Sequence, residues 1–326
     1  MIKKIAWENQ IGSRLKLRDL HVFLTVVQRG SMAKAAAHLG VSQPAVSEVI
    51  GDLEHALGVR LLDRSPQGIE PTMYGRALLK RSTIVFDELR QGIKDLAFLT
   101  DPTVGEVQIG CPESIAASIL PPVIQRFAQR HPGIVLHVRD MVSPKLEVPE
   151  LRERKVDIVI ERLVNPGASA CEELDINVLF NDQLVVAAGM QTQWANRSKI
   201  DIAELVNEPW ILGPSRTWGD MVIADAFRAR GVDLPKIALT TFSVHLRANL
   251  LASGPFIAAF PKSVVTYNAK RFSLKVLPLD LPVRPWPVAM ITLKNRTLSP
   301  VAQLFIDHLR AFTRSMAEPK PEQKSA

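Results

Sequence analysis

Between Leu17 and Gln28 apolar side chains fall at Leu17, Leu20, Phe23, Leu24 and Val27, a spacing that predicts a helix with one buried face. Gly30 ends that helix, and Ser31 offers a cap for a second, about Met32 to Leu39. Ala33, Ala35, Ala36 and Ala37 let it approach a neighbour closely, and Gly40 stops it. A third helix is predicted with Ser42 as N-cap, Pro44 in the first turn, Val46, Ile50, Leu53 and Leu57 inward, and Gly58 as its end. Two short helices around a tight glycine turn make a helix-turn-helix. Val59–Leu62, the turn Ser65–Gly68 and the return Ile69–Glu70 read as a hairpin wing. A long helix then runs from Pro71-Thr72 to about Leu99, roughly 40 Å at 1.5 Å per residue. Leu79, Phe86 and Ile93 recur by sevens on it, as do Leu89 and Leu96, which predicts a partner helix.

From Val104 onward short apolar runs alternate with helical patterns, the signature of an α/β fold. Strands are predicted at Glu106–Gly110, Ile134–Arg139, Val156–Ile160, Asp175–Phe180, Gln183–Ala188, Ile237–Thr241, Phe256–Ala259, Lys275–Pro278 and Val288–Leu293. Helices are predicted at Ser114–Arg130, Leu146–Arg154, Met221–Arg230, Val244–Ser253 and Ser299–Arg314. The fold class is α+β overall: a mainly α winged helix-turn-helix, a linker helix, and a C-terminal α/β domain. The domain boundaries that follow are an extension 1–16, a winged helix 17–71, a linker helix 72–101, a C-terminal domain 102–314 and a disordered tail 315–326.

Composition narrows the function classes. No apolar stretch approaches the roughly 20 residues of a membrane helix. The start, Met1 to Glu8, has lysines but no apolar core and is not read as an export signal, so a cytoplasmic location with no membrane partner is expected. Cys111 and Cys171 show no metal-ligand spacing, and the seven His residues form no HxxxH pair. No nucleophile elbow, phosphate loop or dinucleotide fingerprint is present, so neither an enzyme nor a cofactor is expected. Residues 1–100 hold 14 Lys and Arg against 10 Asp and Glu; residues 101–326 hold 26 against 23. The denser excess in the first third suits a polyanion there.

On the third helix the apolar stripe leaves Gln43, Ser47 and Gly51 on the opposite face, with Pro44 and Glu48 beside it. Gln can pair in bidentate fashion with adenine, and Ser can serve several bases. Arg60 and Arg64 flank the wing and are candidates for phosphate or minor-groove contact. A surface helix with incidental polar residues remains the bland alternative.

Residues 17–75 closely resemble the N-terminal domain of LysR-type transcriptional regulators. The resemblance is carried by Ser31, Ala35, Ala36, Leu39, Ser42-Gln43-Pro44-Ala45, Ser47, Ile50, Leu53-Glu54, Leu57-Gly58, Leu61, Arg64, Thr72 and Gly75. Together with the groove face and the wing read above, it gives a candidate DNA-binding set of Ser31, Ser42, Gln43, Pro44, Ala45, Ser47, Glu48, Arg60 and Arg64, while the sevens give a candidate dimer seam of Leu79, Phe86, Leu89, Ile93 and Leu96. The rest of the chain resembles the family's two-lobed domain, similar to periplasmic solute-binding proteins, with lobe I about 104–164 and 270–314 and lobe II about 165–269. The implied partners are duplex DNA bearing an interrupted inverted repeat, a small-molecule effector, a second or further copies (homodimer or homotetramer) and RNA polymerase. The sequence departs from the family at Leu62, Pro71, Glu48 and Gly51.

In open α/β sheets ligands sit beyond the carboxyl ends of strands, often at helix starts. Pro112, Glu113, Ser114, Arg162, Ser215, Arg216, Phe242, Ser243 and Pro255 hold such positions and are the candidate effector residues. Each has a plain alternative: Ser114 and Ser215 as helix caps, Arg162 paired with Glu161 or Asp157 on the surface, Arg216 solvated, Phe242 in a core. Cys111 invites a redox reading against that of a small buried hydrophobe. Arg162 and the helix starts favour an organic acid, whereas Glu113 suits the hydroxyls of a sugar. The C-terminal half alone also permits a transport-type solute-binding protein or a small-molecule enzyme.

Overall fold

The computed structural model describes residues 15–65, 68–141, 147–163, 172–214, 218–281 and 285–317. The chain divides into two compact units, Met1–Gly92 and Ile93–Ala326.

In the first unit, α1 (Leu17–Arg29), α2 (Met32–Leu39) and α3 (Gln43–Leu57) pack around Phe23, Ala35, Val46, Ile50 and Leu53, all essentially inaccessible. Gly30, Gly40 and Gly58 close the three helices at φ between 65° and 68°, a left-handed cap at which a side chain is disfavoured. Ser42 caps α3 by accepting from the Ala45 amide at 3.3 Å; Ser31 holds the cap position of α2 without a side-chain cap bond. The wing comprises β1 (Leu62–Ser65) and β2 (Gly68–Pro71), paired antiparallel from Leu62 opposite Pro71 to Ser65 opposite Gly68. Its first strand begins at Leu62 rather than Val59, because the preceding backbone bonds to Glu54 and Thr72 and not to a strand. The long helix is α4 (Met73–Thr100).

The second unit holds two five-stranded sheets. The first, ordered β4-β3-β5-β12-β6, uses β3 (Val104–Cys111), β4 (Gly133–Asp140), β5 (Ile158–Arg162), β6 (Leu174–Asp182) and β12 (Trp286–Leu293). The second, ordered β11-β7-β10-β8-β9, uses β7 (Leu184–Gly189), β8 (Trp210–Leu212), β9 (Ile237–Thr240), β10 (Ile257–Pro261) and β11 (Leu274–Val276). β3, β4 and β5 run parallel, as do β8, β9 and β10, so each lobe turns one set of carboxyl ends to a common edge. The first lobe's core gathers Ile109, Phe127, Ile160 and Phe305 from β3, α6 (Leu120–Arg130), β5 and α11 (Pro300–Ala317). In the second lobe Trp210 packs on Phe227 of α8 (Trp218–Arg228) at a ring separation of 5.6 Å.

Several expectations are corrected. β6 pairs with β12 along its whole length and belongs to the first lobe, while β11 pairs with β7 and belongs to the second. The lobe boundaries at 164 and 270 therefore move to the Asp182–Leu184 and Val276–Trp286 crossovers. The helix expected over Ser114–Arg130 is two, α5 (Glu113–Ala116) and α6, because Pro121 and Pro122 cannot donate backwards across the join. The helix expected over Leu146–Arg154 shortens to α7 (Pro149–Arg152), held between left-handed Val148 and Arg154. A helix absent from the sequence reading, α10 (Lys262–Phe272), follows β10, and α9 (Val244–Ser253) stands as expected. α11 extends past 314 to Ala317. The extension's first 14 residues, Cys171 and the tail from 318 lie outside the described residues.

Candidate DNA interface and effector cleft

The exposed edge of α3 presents Ser42, Gln43, Pro44 and Glu48, with Ala45 and Ser47 half-buried beside them. On the opposite stripe Val46, Ile50 and Leu53 are at most 1 % exposed, and Leu57 at its end is half-buried. The helix thus anchors by one face and offers a polar face at its N-terminal turn, the part that in helix-turn-helix proteins generally enters a major groove. Gly51 is exposed, and an added Cβ there would meet nothing within 4 Å, so the residue's place in mid-helix has no steric cause in this unit. Arg60 and Arg64 are exposed at the wing.

The expected dimer seam is split. Leu79 packs against the winged-helix core, and the Phe86 ring meets His21 at 5.6 Å, so both face inward within the first unit. Leu89, Ile93 and Leu96 are exposed, and Val85 and Leu99 extend their stripe. The split lies along the helix rather than around it: two heptads drift only about 40°, but Leu79 and Phe86 lie beside the helices of the first unit while Ile93 lies past its end.

The candidate effector residues of the second unit converge only in part. Pro112 and Glu113 follow β3, and Arg162 ends β5. Arg162 is buried, not a surface residue, and pairs with neither Glu161 nor Asp157 through its guanidinium. Its Nη1 donates to Ser114 Oγ at 2.6 Å and its Nη2 to Asp182 Oδ2 at 3.2 Å. Ser114 is therefore not a cap; Pro112 holds that position. Burial pulls the Arg162 guanidinium below its ordinary range, opposed by Asp182 and Glu161.

Glu113 reaches across to the other lobe. Its carboxylate accepts from the Val244 and His245 amides at 2.9 and 3.2 Å and from Ser243 Oγ at 3.3 Å. These groups open α9, where unpaired amides and the helix dipole favour an anion. Asp182 does the same for α10, accepting from the Ser263 amide at 3.0 Å and its hydroxyl at 2.7 Å. Two carboxylates of the first lobe thus hold the starts of two helices of the second.

One functional candidate was missed altogether. Arg247, in the first turn of α9, donates to the Ala259 and Phe242 carbonyls at 2.8 and 3.3 Å and lies over the Phe260 ring at 4.8 Å. Among the described residues no carboxylate lies within ion-pair distance of it. Burial lowers it to about 10, with Glu113 the leading opposing charge, so it stays a cation at neutral pH. The Nε atoms of Arg162 and Arg247 are both buried without a hydrogen-bond partner. A buried cation in the first turn after a Thr-Phe-Ser loop has no periodic signature, since at helical spacing it reads as solvated surface.

The remaining candidates do not join the cluster as expected. Phe242 is 45 % exposed rather than core, and Pro255 is exposed. Ser215 and Arg216 lie outside the described residues. Cys111 is fully buried, and burial with the nearby Glu161 and Asp140 charges pushes its thiol up to about 12, so it packs as a small hydrophobe. No group of three or more metal-ligating side chains occurs among the described residues.

Comparison with known proteins decides the identity of this arrangement. Residues 17–76 match the bacterial regulatory helix-turn-helix protein, lysR family, and residues 100–314 match the LysR substrate binding domain. The chain belongs to the LysR family of transcriptional regulators. It is similar to the HTH-type transcriptional regulator GbpR of Azospirillum brasilense, 28 % identical over 322 residues that cover 97 % of this chain and 93 % of that one. The transcriptional dual regulator GltC of Bacillus subtilis is 26 % identical, over 91 % of this chain and 97 % of its own. Full-length OxyR from Pseudomonas aeruginosa shares the fold at a TM-score of 0.65 and 21 % identity, covering 95 % of this chain and 99 % of that one. CbnR, a LysR family regulator, does so at 0.60 and 21 %, covering 91 % and 99 %. This LysR-type chain is thus a DNA-binding transcriptional regulator with a substrate-binding domain. No helix among its described residues is long and apolar enough to cross a membrane.

Proposed function

We propose that this LysR-type regulator is cytoplasmic and non-catalytic, needs no cofactor, and binds an interrupted inverted repeat as a homodimer or a dimer of dimers. Gln43 and Ser47 read base edges, Ser31, Ser42, Pro44, Ala45 and Glu48 border the groove, and Arg60 and Arg64 meet the backbone. Leu89, Ile93 and Leu96 form the seam between copies, which sets two recognition helices on two half-sites and places the complex beside RNA polymerase.

Its effector is a small organic acid held between the lobes. The observation that carries this reading is the pair of buried guanidinium groups, Arg162 and Arg247, beside an α9 start that carries Glu113. The acid's carboxylate takes the Ser243, Val244 and His245 donors in place of Glu113, releasing one link between the lobes. A neutral sugar held by Glu113 is the weaker reading, because both Glu113 oxygens already accept hydrogen bonds. Calorimetry of the full chain with benzoate, succinate and glucose tests the class. Binding of an acid that Arg162→Ala abolishes supports the reading; binding of glucose alone, unaffected by Arg162→Ala, overturns it.

A further inference from the structure

The start of the wing is gripped from two sides before its first strand pair forms. The Leu61 and Leu62 amides both donate to Glu54 Oε1 of α3, at 2.7 and 3.1 Å. From the other side Thr72 Oγ1 donates to the Arg60 carbonyl at 2.7 Å, and the Thr72 amide donates to the Leu61 carbonyl at 2.9 Å. Gly75, in the first turn of α4, lies so close that a Cβ would stand 2.1 Å from the Leu61 carbonyl oxygen. The polar backbone atoms of the buried Leu61 are thus satisfied by Glu54 and Thr72, not by a strand. The far strand is held separately, through the Ile69 amide on the Gly30 carbonyl at 3.1 Å.

We propose that Glu54 is a positioning residue for DNA binding: it fixes the wing's first strand to the recognition helix so that Arg60 and Arg64 reach phosphate while α3 lies in the groove. The proposal rests on the reading of Arg60 and Arg64 as backbone contacts. Glu54 sits on the half-buried flank of α3, near its C-terminal end, with no place in base readout. Without its carboxylate two buried amides lose their acceptor, and the segment that carries Arg60 keeps only the Thr72 bonds on one side and the Val59 amide on the Glu54 carbonyl on the other. The sequence discrimination set by Gln43 and Ser47 is untouched, because their turn lies at the other end of α3. Loss of Glu54 therefore takes away the charge-driven part of affinity and leaves the base-driven part.

The test measures Kd against salt for the full chain on two duplexes, one selected from a random pool by the wild type and one of mixed sequence. The Arg60→Ala, Arg64→Ala double variant sets the reference, its slope flattening by about 0.9 for each phosphate that is no longer neutralised. Glu54→Ala is expected to lose at least tenfold on both duplexes with the same flattening, keeping the affinity ratio between them within twofold. Glu54→Gln, which retains an oxygen acceptor, stays within threefold of wild type. The triple variant binds no more weakly than the double, because Glu54 acts through the two arginines. Partial unfolding of Glu54→Ala would lower the active fraction without changing the salt slope, so the slope separates the two causes. Glu54→Ala with a wild-type slope, or a triple variant at least tenfold weaker than the double, overturns the positioning role. A double variant that binds like wild type overturns the wing reading, and the proposal with it.

Discussion

In the DNA-reading head Glu54 reaches an amide seven residues away and Thr72 a carbonyl twelve away. In the cleft Ser114 meets Arg162 across 48 residues, and Glu113 meets Val244 across 131. The head's polar edge on α3 also stands clear of its core, whereas Arg162 and Asp182 are nine-tenths or more buried. A change on the head's edge should therefore alter binding with little effect on folding. A change in the cleft should alter both.

The largest effect that can break this contrast is expected at Arg162. Arg162→Ala leaves Asp182 buried without its ion-pair partner, a class of change that costs about 3–5 kcal/mol. Urea unfolding of the full chain, followed by a probe in the second unit, should show this loss beside failure to bind the acid. A loss below about 1 kcal/mol would mean that the cleft tolerates change as the head's edge does.

Next come the residues of α4. Ile93→Asp with Leu96→Asp should weaken association between copies by about 2 kcal/mol or more, seen as dissociation in sedimentation at micromolar concentration, with both units folded. Leu79→Asp should instead destabilise the head, because Leu79 packs against its core. The opposite pattern would show that the seam runs along the sevens read from the sequence.

The smallest effect belongs to the reading edge. Gln43→Ala should cost about 1–3 kcal/mol on selected DNA, little on mixed-sequence DNA, and nothing measurable in melting temperature. Equal losses on both duplexes would place Gln43 on the backbone instead.

Legibility follows the same divide. The three helices of the head were readable because each carries its own stripe and glycine stop, with Val46, Ile50 and Leu53 falling inward as spaced. α10 was not, since Lys262–Phe272 opens with Val264, Val265 and Thr266, a β-branched run with strand propensity, and is made a helix by Asp182 at its start. Nor was the role of Glu113: its residue type announced a charge in the cleft, but which donors it meets depends on a helix start 131 residues on. Arg247 carried no signal, because burial of a cation is set by the tertiary packing of β10 and the loop before α9.

The central claim is that Glu113 occupies the place of the effector's carboxylate. Its most direct test is the affinity of the full chain and of Glu113→Gln for whichever acid of the calorimetric panel binds most tightly. A neutral amide holds the α9 donors less strongly than a carboxylate, by about 1.4 kcal/mol if a charge-assisted bond is replaced by a neutral one. The account therefore predicts that removing this charge tightens acid binding about tenfold. Weaker or unchanged binding by Glu113→Gln would contradict it.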